Sequence, residues 1–332
     1  PIRDLTAPAG GRAGDGPAGR SNPHEGKGQD MLDRRDVEQI NHGWGESSQQ
    51  TPSPAAESAG RAFRFLQELA RDLSQESISF PTFMDATVKI RDALRDPDAD
   101  VGRVAQVVSG EPLLAARLVH LANSVAFNPG GRKVADVRSA VTRVGFNTVR
   151  TTAAAIALEQ VRASKELAPF AAEAERVWRH SLDAAAIAYV LARALTTLRP
   201  DEALFAGLVH DIGRFYLLSR ASKYPELVEH RDELETIVHE WHPSIGQAIL
   251  QQLDLPEALT IAVAEHELGN YRFPPRNLTH LVTLANLAAH ARRGGGTAPG
   301  ADGGADLPED SPVFPVLAEA AAEVQSLIDA LR

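Results

Sequence analysis

From about Ala62 to Arg292 the apolar residues recur at three- and four-residue steps, the period of helices that bury one face. Phe63, Phe65, Leu66, Leu69 and Leu73 predict an amphipathic helix. Ser79-Phe80-Pro81 interrupts it, because proline has no N–H for an interior helical position. Asp100 is placed to cap a helix with Val101, Val104 and Val108 on one side. Leu113, Leu114, Leu118 and Leu121 form the stripe of the next. Val134, Val137, Val141 and Val144 mark another that Gly145 ends, and Asn147 is placed to cap its successor through Val149, Ala153 and Ile156. Nothing in this span alternates apolar and polar residues for long enough to make a half-buried strand. The fold class is all-α.

The ends read differently. Residues 1–60 hold 10 of the 25 glycines and 6 of the 21 prolines with few apolar residues between them, so they are expected to form a disordered tail. Residues 293–310 contain a Gly-, Ala- and Asp-rich run and read as a flexible linker. Residues 311–332 return to helical period, with Val313, Val316, Leu317, Ala320, Val324 and Leu327 on one stripe. A helix this short is marginal alone, so its apolar face should dock on the main domain or on a partner.

Composition removes several functions. The chain has 332 residues, a net charge of -10 and no cysteine. Without cysteine there is no disulfide framework, thiolate zinc site or cysteine nucleophile, and a reducing compartment is a natural setting. The acidic balance disfavours nucleic acid as a partner. No apolar run approaches a membrane span, and Pro1-Ile2-Arg3-Asp4-Leu5-Thr6 carries no apolar signal core. No Walker-type phosphate loop occurs, which sets aside an NTP motor or kinase.

The 11 histidines carry the remaining chemistry. His210-Asp211 stands in the strongly apolar Gly207-Leu208-Val209-His210-Asp211-Ile212-Gly213, where an imidazole and a carboxylate are costly to bury unless paired with each other or with a cation. His180 follows Trp178-Arg179 at the start of an Ala-rich helix, His239 and His242 share a helical face, and His266-Glu267 ends the helix of Leu259, Ile261 and Val263. His180 followed by the His-Asp pair in this context resembles the HD superfamily of metal-dependent phosphohydrolases. Phe80-Pro81, Glu111-Pro112-Leu113-Leu114, Leu121-Ala122-Asn123-Ser124, Val144-Gly145, His242-Pro243-Ser244-Ile245-Gly246, Leu255-Pro256 and Ala264-Glu265-His266 narrow the resemblance to the HDOD family, the HD-related output domain of bacterial signalling proteins, over roughly residues 78–290.

That resemblance implies an all-α domain of two lobes, residues 61–170 and an HD-like 171–292, in a bacterial cytoplasmic protein whose partners are other signalling proteins. It also implies a metal set. His180, His210 and Asp211 match the first HD positions, His242 and His266 match extra ligands of the HD-GYP phosphodiesterases, and Asn286 stands where the distal Asp is expected. A neutral amide is a poorer ligand for a hard divalent ion. The run Glu267–Pro274 lacks the Gly-Tyr-Pro signature, which argues against cyclic di-GMP hydrolysis. Three functions follow from different classes: a non-catalytic interaction module, a divalent-metal phosphohydrolase, and DNA binding near Arg138, Arg143 and Arg150. The first is the expectation and the third is disfavoured by charge. Ser124 is expected to cap a helix end rather than act as a nucleophile, Trp178 and Trp241 to anchor the core, and Asp232, Glu233, Glu235, Asp254 and Glu257 to form a solvated face.

Overall fold

The computed structural model describes residues 54–74, 84–96, 98–293 and 307–332. Residues 1–53 of the expected tail and 294–306 of the expected linker lie outside them, as does Ser79-Phe80-Pro81. Among the described residues there are helices and no strand. The chain runs α1 (Pro54–Ser74), α2 (Met84–Arg95), α3 (Val101–Ser109), α4 (Pro112–Ala122), α5 (Val137–Val144), α6 (Phe146–Arg162), α7 (Ala171–Leu195), α8 (Pro200–Val209), α9 (Ile212–Ala221), α10 (Pro225–Glu229), α11 (Arg231–Gln252), α12 (Glu257–Glu265), α13 (Leu278–Arg292), α14 (Val313–Glu319) and α15 (Ala321–Leu331). A 3-10 turn, Lys165–Phe170, leads into α7.

The boundaries have local causes. Asp100, Asp136 and Asn277 accept hydrogen bonds from the third residue onward, at 2.7 to 2.8 Å, and so satisfy first-turn donors of α3, α5 and α13. Gly145 ends α5 at φ +79°, a backbone state that other residues reach only with strain. Pro112, Pro200 and Pro225 open their helices, where the missing donor costs nothing.

Two apolar cores result. The smaller joins Ile90, Val104, Val108, Leu114, Leu118, Val141 and Val149 from α2 to α6. The larger is built around α7, whose residues 184–192 are all buried, with α8, α9 and α13 against it, α11 packed on α9, and α12 between α11 and α13. Helix α1 is early in the chain yet delivers Phe65 and Leu69 to this larger core. Phe65 meets the Tyr224 ring edge-on at 5.2 Å, and Arg61 pairs with Glu233 at 2.8 Å. The C-terminal stripe docks within the chain. Val313, Val324, Leu327, Ile328 and Leu331 are buried, and α15 packs on α7 of the larger lobe and on α4 and α6 of the smaller.

Several local expectations are corrected. Helix α1 begins at Pro54, inside the segment expected to be tail. Leu113 is half exposed and leaves the apolar stripe of α4. Val134 precedes α5, its backbone held in both directions by the Asn123 side chain at 2.8 and 2.9 Å. Asn147 is not a cap. It lies inside α6, and its amide donates to Asp201 at 3.0 Å. The Ser124 hydroxyl is buried with no hydrogen-bond partner, so the neighbouring Asn123 ties this helix end instead. Trp178 is in the core, but Trp241 is exposed, and Glu233 is held by Arg61 rather than solvated. Of the three arginines considered for DNA, Arg143 donates to the Ala122 carbonyl and Arg150 stacks on Phe205.

Candidate metal-ligand cluster

Five helix ends or faces converge on one polar cluster in the larger lobe. His180 comes from α7, His210-Asp211 from the joint between α8 and α9, His242 from α11, His266-Glu267 from the end of α12, and Asn286 and His290 from α13. The glycines flanking the His-Asp pair set its position. A Cβ on Gly207 would lie 2.7 Å from the Ala184 carbonyl oxygen of α7, and one on Gly213 would lie 2.0 Å from the His242 carbonyl oxygen of α11. Only hydrogen at those two places lets both helices touch, so the pair is wedged between them.

Three imidazoles are oriented by backbone carbonyls. His210 Nδ1 donates to Gly207 O at 2.8 Å, His242 Nδ1 to Val238 O at 2.9 Å, and His266 Nδ1 to Val263 O at 2.7 Å. Pro243 helps at His242. Having no N–H, it leaves the carbonyl of His239 without a helical partner, and His242 Nδ1 also reaches that oxygen at 2.9 Å. Each Nε2 is left to face the cluster. His210 Nε2 is 3.2 Å from His180 Nε2, and His242 Nε2 is 3.3 Å from His266 Nε2.

His180 is held differently. Its Nε2 lies 2.7 Å from the amide oxygen of Asn286, while its buried Nδ1 has no hydrogen-bond partner. Asn286 Oδ1 and His210 Nε2 are both acceptors, so the Nε2 proton of His180 serves them. Around Asp211 sit Arg214, with Nε 3.0 Å from Oδ1, and the ring nitrogens of His242 at 3.3 Å and His266 at 3.6 Å. Arg214 also reaches Glu267 Oε1 at 3.3 Å.

The charges follow from these contacts. Burial pushes the imidazoles of His210 and His242 down to about 4, and it holds His180 well below its ordinary value, with His210 adding to the effect. Burial would lower His266 too, but the Asp211 and Glu267 carboxylates beside it overcome that and raise it to about 9. Burial alone would raise both carboxyls. Arg214 and then His210 keep Asp211 well below the usual range, and His242 and His266 do the same for Glu267. Two anions, Asp211 and Glu267, thus face two cations, Arg214 and His266. The cluster is electrically closed by the chain's own groups.

Two overlapping sets of donors could hold a metal: His180, His210 and Asp211, and then Asp211, His242, His266 and Glu267. All five histidine and aspartate ligands expected from sequence therefore meet in one place, with Asn286 touching His180. Glu267 and Arg214 were not in that set. Their positions, directly after His266 and three residues after Asp211 on a helix, are the signals that could have found them. A cavity of about 550 Å³ opens onto His180, Asp211, Arg214 and His290, walled by Phe170, Leu218 and Val238 and with Arg176, Arg231 and Arg293 also lining it. Arg231 pairs with Glu173 at 2.6 Å, and Arg293 with the buried Asp183.

The architecture agrees with comparison to known proteins. The solved structure of a candidate metal-dependent phosphohydrolase from Shewanella amazonensis SB2B superposes with a TM-score of 0.61 at 21% identity, over 82% of this chain and all of that one. A candidate signal transduction protein from Marinobacter aquaeolei VT8 gives 0.50 at 19% identity, over 81% of this chain and 66% of that one. An uncharacterized protein of Treponema pallidum is 26% identical over 238 residues, 66% of this chain, which spans 44% of that relative's length. At these identities the structural likenesses establish the fold. No described helix is long and apolar enough to cross a membrane. The HDOD domain family matches residues 80–268, more than half of the sequence, and this chain belongs to that family.

Proposed function

We propose that the chain is a signalling module that acts through contact with other proteins and does not turn over a substrate. One observation carries this reading: the group beside His180 is Asn286, and their 2.7 Å contact is a hydrogen bond. Two donors on one metal ion stay further apart, about 3.3 Å for bonds of about 2.0 Å in a tetrahedron. His180 and Asn286 therefore spend their inward atoms on each other, and the HD position has lost the carboxylate that would neutralise a divalent ion. The likeness to a signal transduction protein supports the same reading. The partners would be signalling proteins, with neither a membrane nor nucleic acid required.

The cavity favours a second reading, a metal-dependent phosphohydrolase, because it brings His180, Asp211 and Arg214 to an arginine-bearing pocket. A bound divalent ion would there lower the pKa of a water and polarise a phosphoryl oxygen. His180, His210 and Asp211 would hold it, and Arg176 and Arg293 would draw in an anionic substrate. Assays of the full chain with manganese, iron, magnesium and zinc, on phosphate monoesters, phosphodiesters and nucleotides, separate the two. The interaction reading predicts no hydrolysis above that of Asp211→Ala. Turnover by the wild type that Asp211→Ala abolishes would establish the enzyme.

A further inference from the structure

We propose that the basic hollow between the loop before α5 and the polar face of α5 is a docking surface for an Asp- and Glu-rich segment of a partner protein. The sequence builds it locally. Asn128-Pro129-Gly130-Gly131 turns the chain, with the Gly131 N–H donating to Asn128 O at 3.0 Å and Gly131 at φ +71°. Arg132 and Lys133 follow, and the Asn123 side chain then holds the Val134 backbone in both directions at 2.8 and 2.9 Å. The two cations therefore stand exposed on a pinned loop. In α5, Ala140, Val141 and Val144 enter the smaller core, which leaves Arg138, Ser139, Thr142 and Arg143 on the opposite face. Loop and face enclose about 630 Å³, lined by four cations, Arg132, Lys133, Arg138 and Arg143, against one carboxylate, Asp136.

These charges are unspent. On α3, α4 and α6 the arginines are paired, Arg103 with Asp96, Arg117 with Glu159 and Arg162 with Glu175. In the hollow, Arg132, Lys133 and Arg138 have no ion-pair partner among the described residues. Arg143 gives one N–H to the Ala122 carbonyl at 3.1 Å, which fixes its guanidinium in place. Asp136 is already engaged as the cap of α5, its Oδ1 accepting from the Ser139 N–H. Cations held together without counter-ions raise the local potential, and guanidinium forks match carboxylates. In a chain with 44 acidic against 34 basic side chains, such a patch also orients an acidic partner, because the net charge elsewhere repels it. Size favours a protein segment over other anions. The space suits a drug-sized group of side chains and is far larger than one phosphate. A duplex needs cations continued along its length, and Arg150 of the following helix stacks on Phe205 instead. The proposal rests on the interaction reading and gives the partner's chemistry.

The test is fluorescence anisotropy of a labelled oligoglutamate peptide titrated with the full-length protein at low salt, with hydrogen exchange of the complex to locate the peptide. The wild type should bind, its affinity should fall as salt is raised, and protection should centre on residues 129–143. Arg132→Glu with Lys133→Glu should weaken binding at least about tenfold. Arg272→Glu with Arg276→Glu, also on exposed side chains, alters the net charge equally and should change binding less than about twofold. Equal loss in both double variants would reduce the effect to net charge and overturn the proposal. So would a wild type that does not bind, protection elsewhere, or labelled duplex DNA binding more tightly than the peptide. Hydrogen exchange needs no variant, so the test stays decisive should a double variant fail to fold. Hydrolysis assays on the same preparations separate the two readings: absence of peptide binding without turnover removes this surface alone, whereas turnover removes the interaction reading.

Discussion

A methyl group at Gly213 would have to occupy space 2.0 Å from the His242 carbonyl oxygen, and at Gly207 space 2.7 Å from that of Ala184. Neither obstacle is a flexible side chain, so the helices themselves must part. Gly213→Ala should therefore destabilise the protein by about 3 kcal/mol or more, and thermal denaturation will show it. The titrating residues make a second prediction. In metal-free protein His266 is raised to about 9 from an ordinary 6.5, so its stabilisation is complete below pH 6.5 and is lost as pH rises through 9. His210 and His242, lowered to about 4, have the opposite slope: the unfolded chain takes up their protons first, and stability falls as pH drops from 6.5 towards 4. Chelated protein should be most stable near pH 6.5, and a melting curve flat from pH 4 to 9 would contradict these assignments.

At this scale much was legible from sequence. An imidazole-carboxylate pair in an apolar helical run demands a partner, and His180, His242 and His266 were recognisable in order along the chain. Arg214 and Glu267 escaped because charged residues next to a helix end are ordinarily solvated. Only the crossing of α9, α11 and α12 turns them inward. Pro243 shows the same limit. Inside a helix it reads as a fault, and its use, freeing the His239 carbonyl for His242 Nδ1, is visible only once the imidazole is placed.

Among the elements, α15 shows most directly how the lobes are held. Its Leu327 is fully buried, Glu323 pairs with Arg193 of α7, the Ser326 hydroxyl accepts from the Val125 backbone at 3.1 Å, and the Leu331 carbonyl accepts from Arg117 of α4 at 3.0 Å. One short helix thus contacts both lobes. Leu327→Ala should cost about 2–5 kcal/mol, and deleting residues 311–332 should lower the melting temperature further and expose apolar surface to a dye such as anilinonaphthalene sulfonate. An unchanged melting temperature for both would contradict this packing. Helical period made the apolar stripe of this segment plain. It could not say whether the stripe meets the chain or a partner, because periodicity describes one face and is silent about the other. Helix α1 makes the complementary point: composition hid its start at Pro54, and nothing in its pattern indicated that Phe65 and Leu69 would reach across to Tyr224 and the larger core.

Across the whole molecule, five helix ends or faces bring His180, His210, Asp211, His242 and His266 together, and the proposed interaction role rests on Asn286 occupying His180. Asn286 closes His180 by a hydrogen bond, and Arg214 and His266 balance Asp211 and Glu267. On the proposed reading, such a domain acts through the proteins it contacts. Anomalous diffraction from crystals of the full-length protein loaded with zinc tests this most directly, because it locates the ion without reference to any substrate. With His180 spent on Asn286, no peak is expected between His180, His210 and Asp211. A peak there with a free coordination position would contradict the non-catalytic reading.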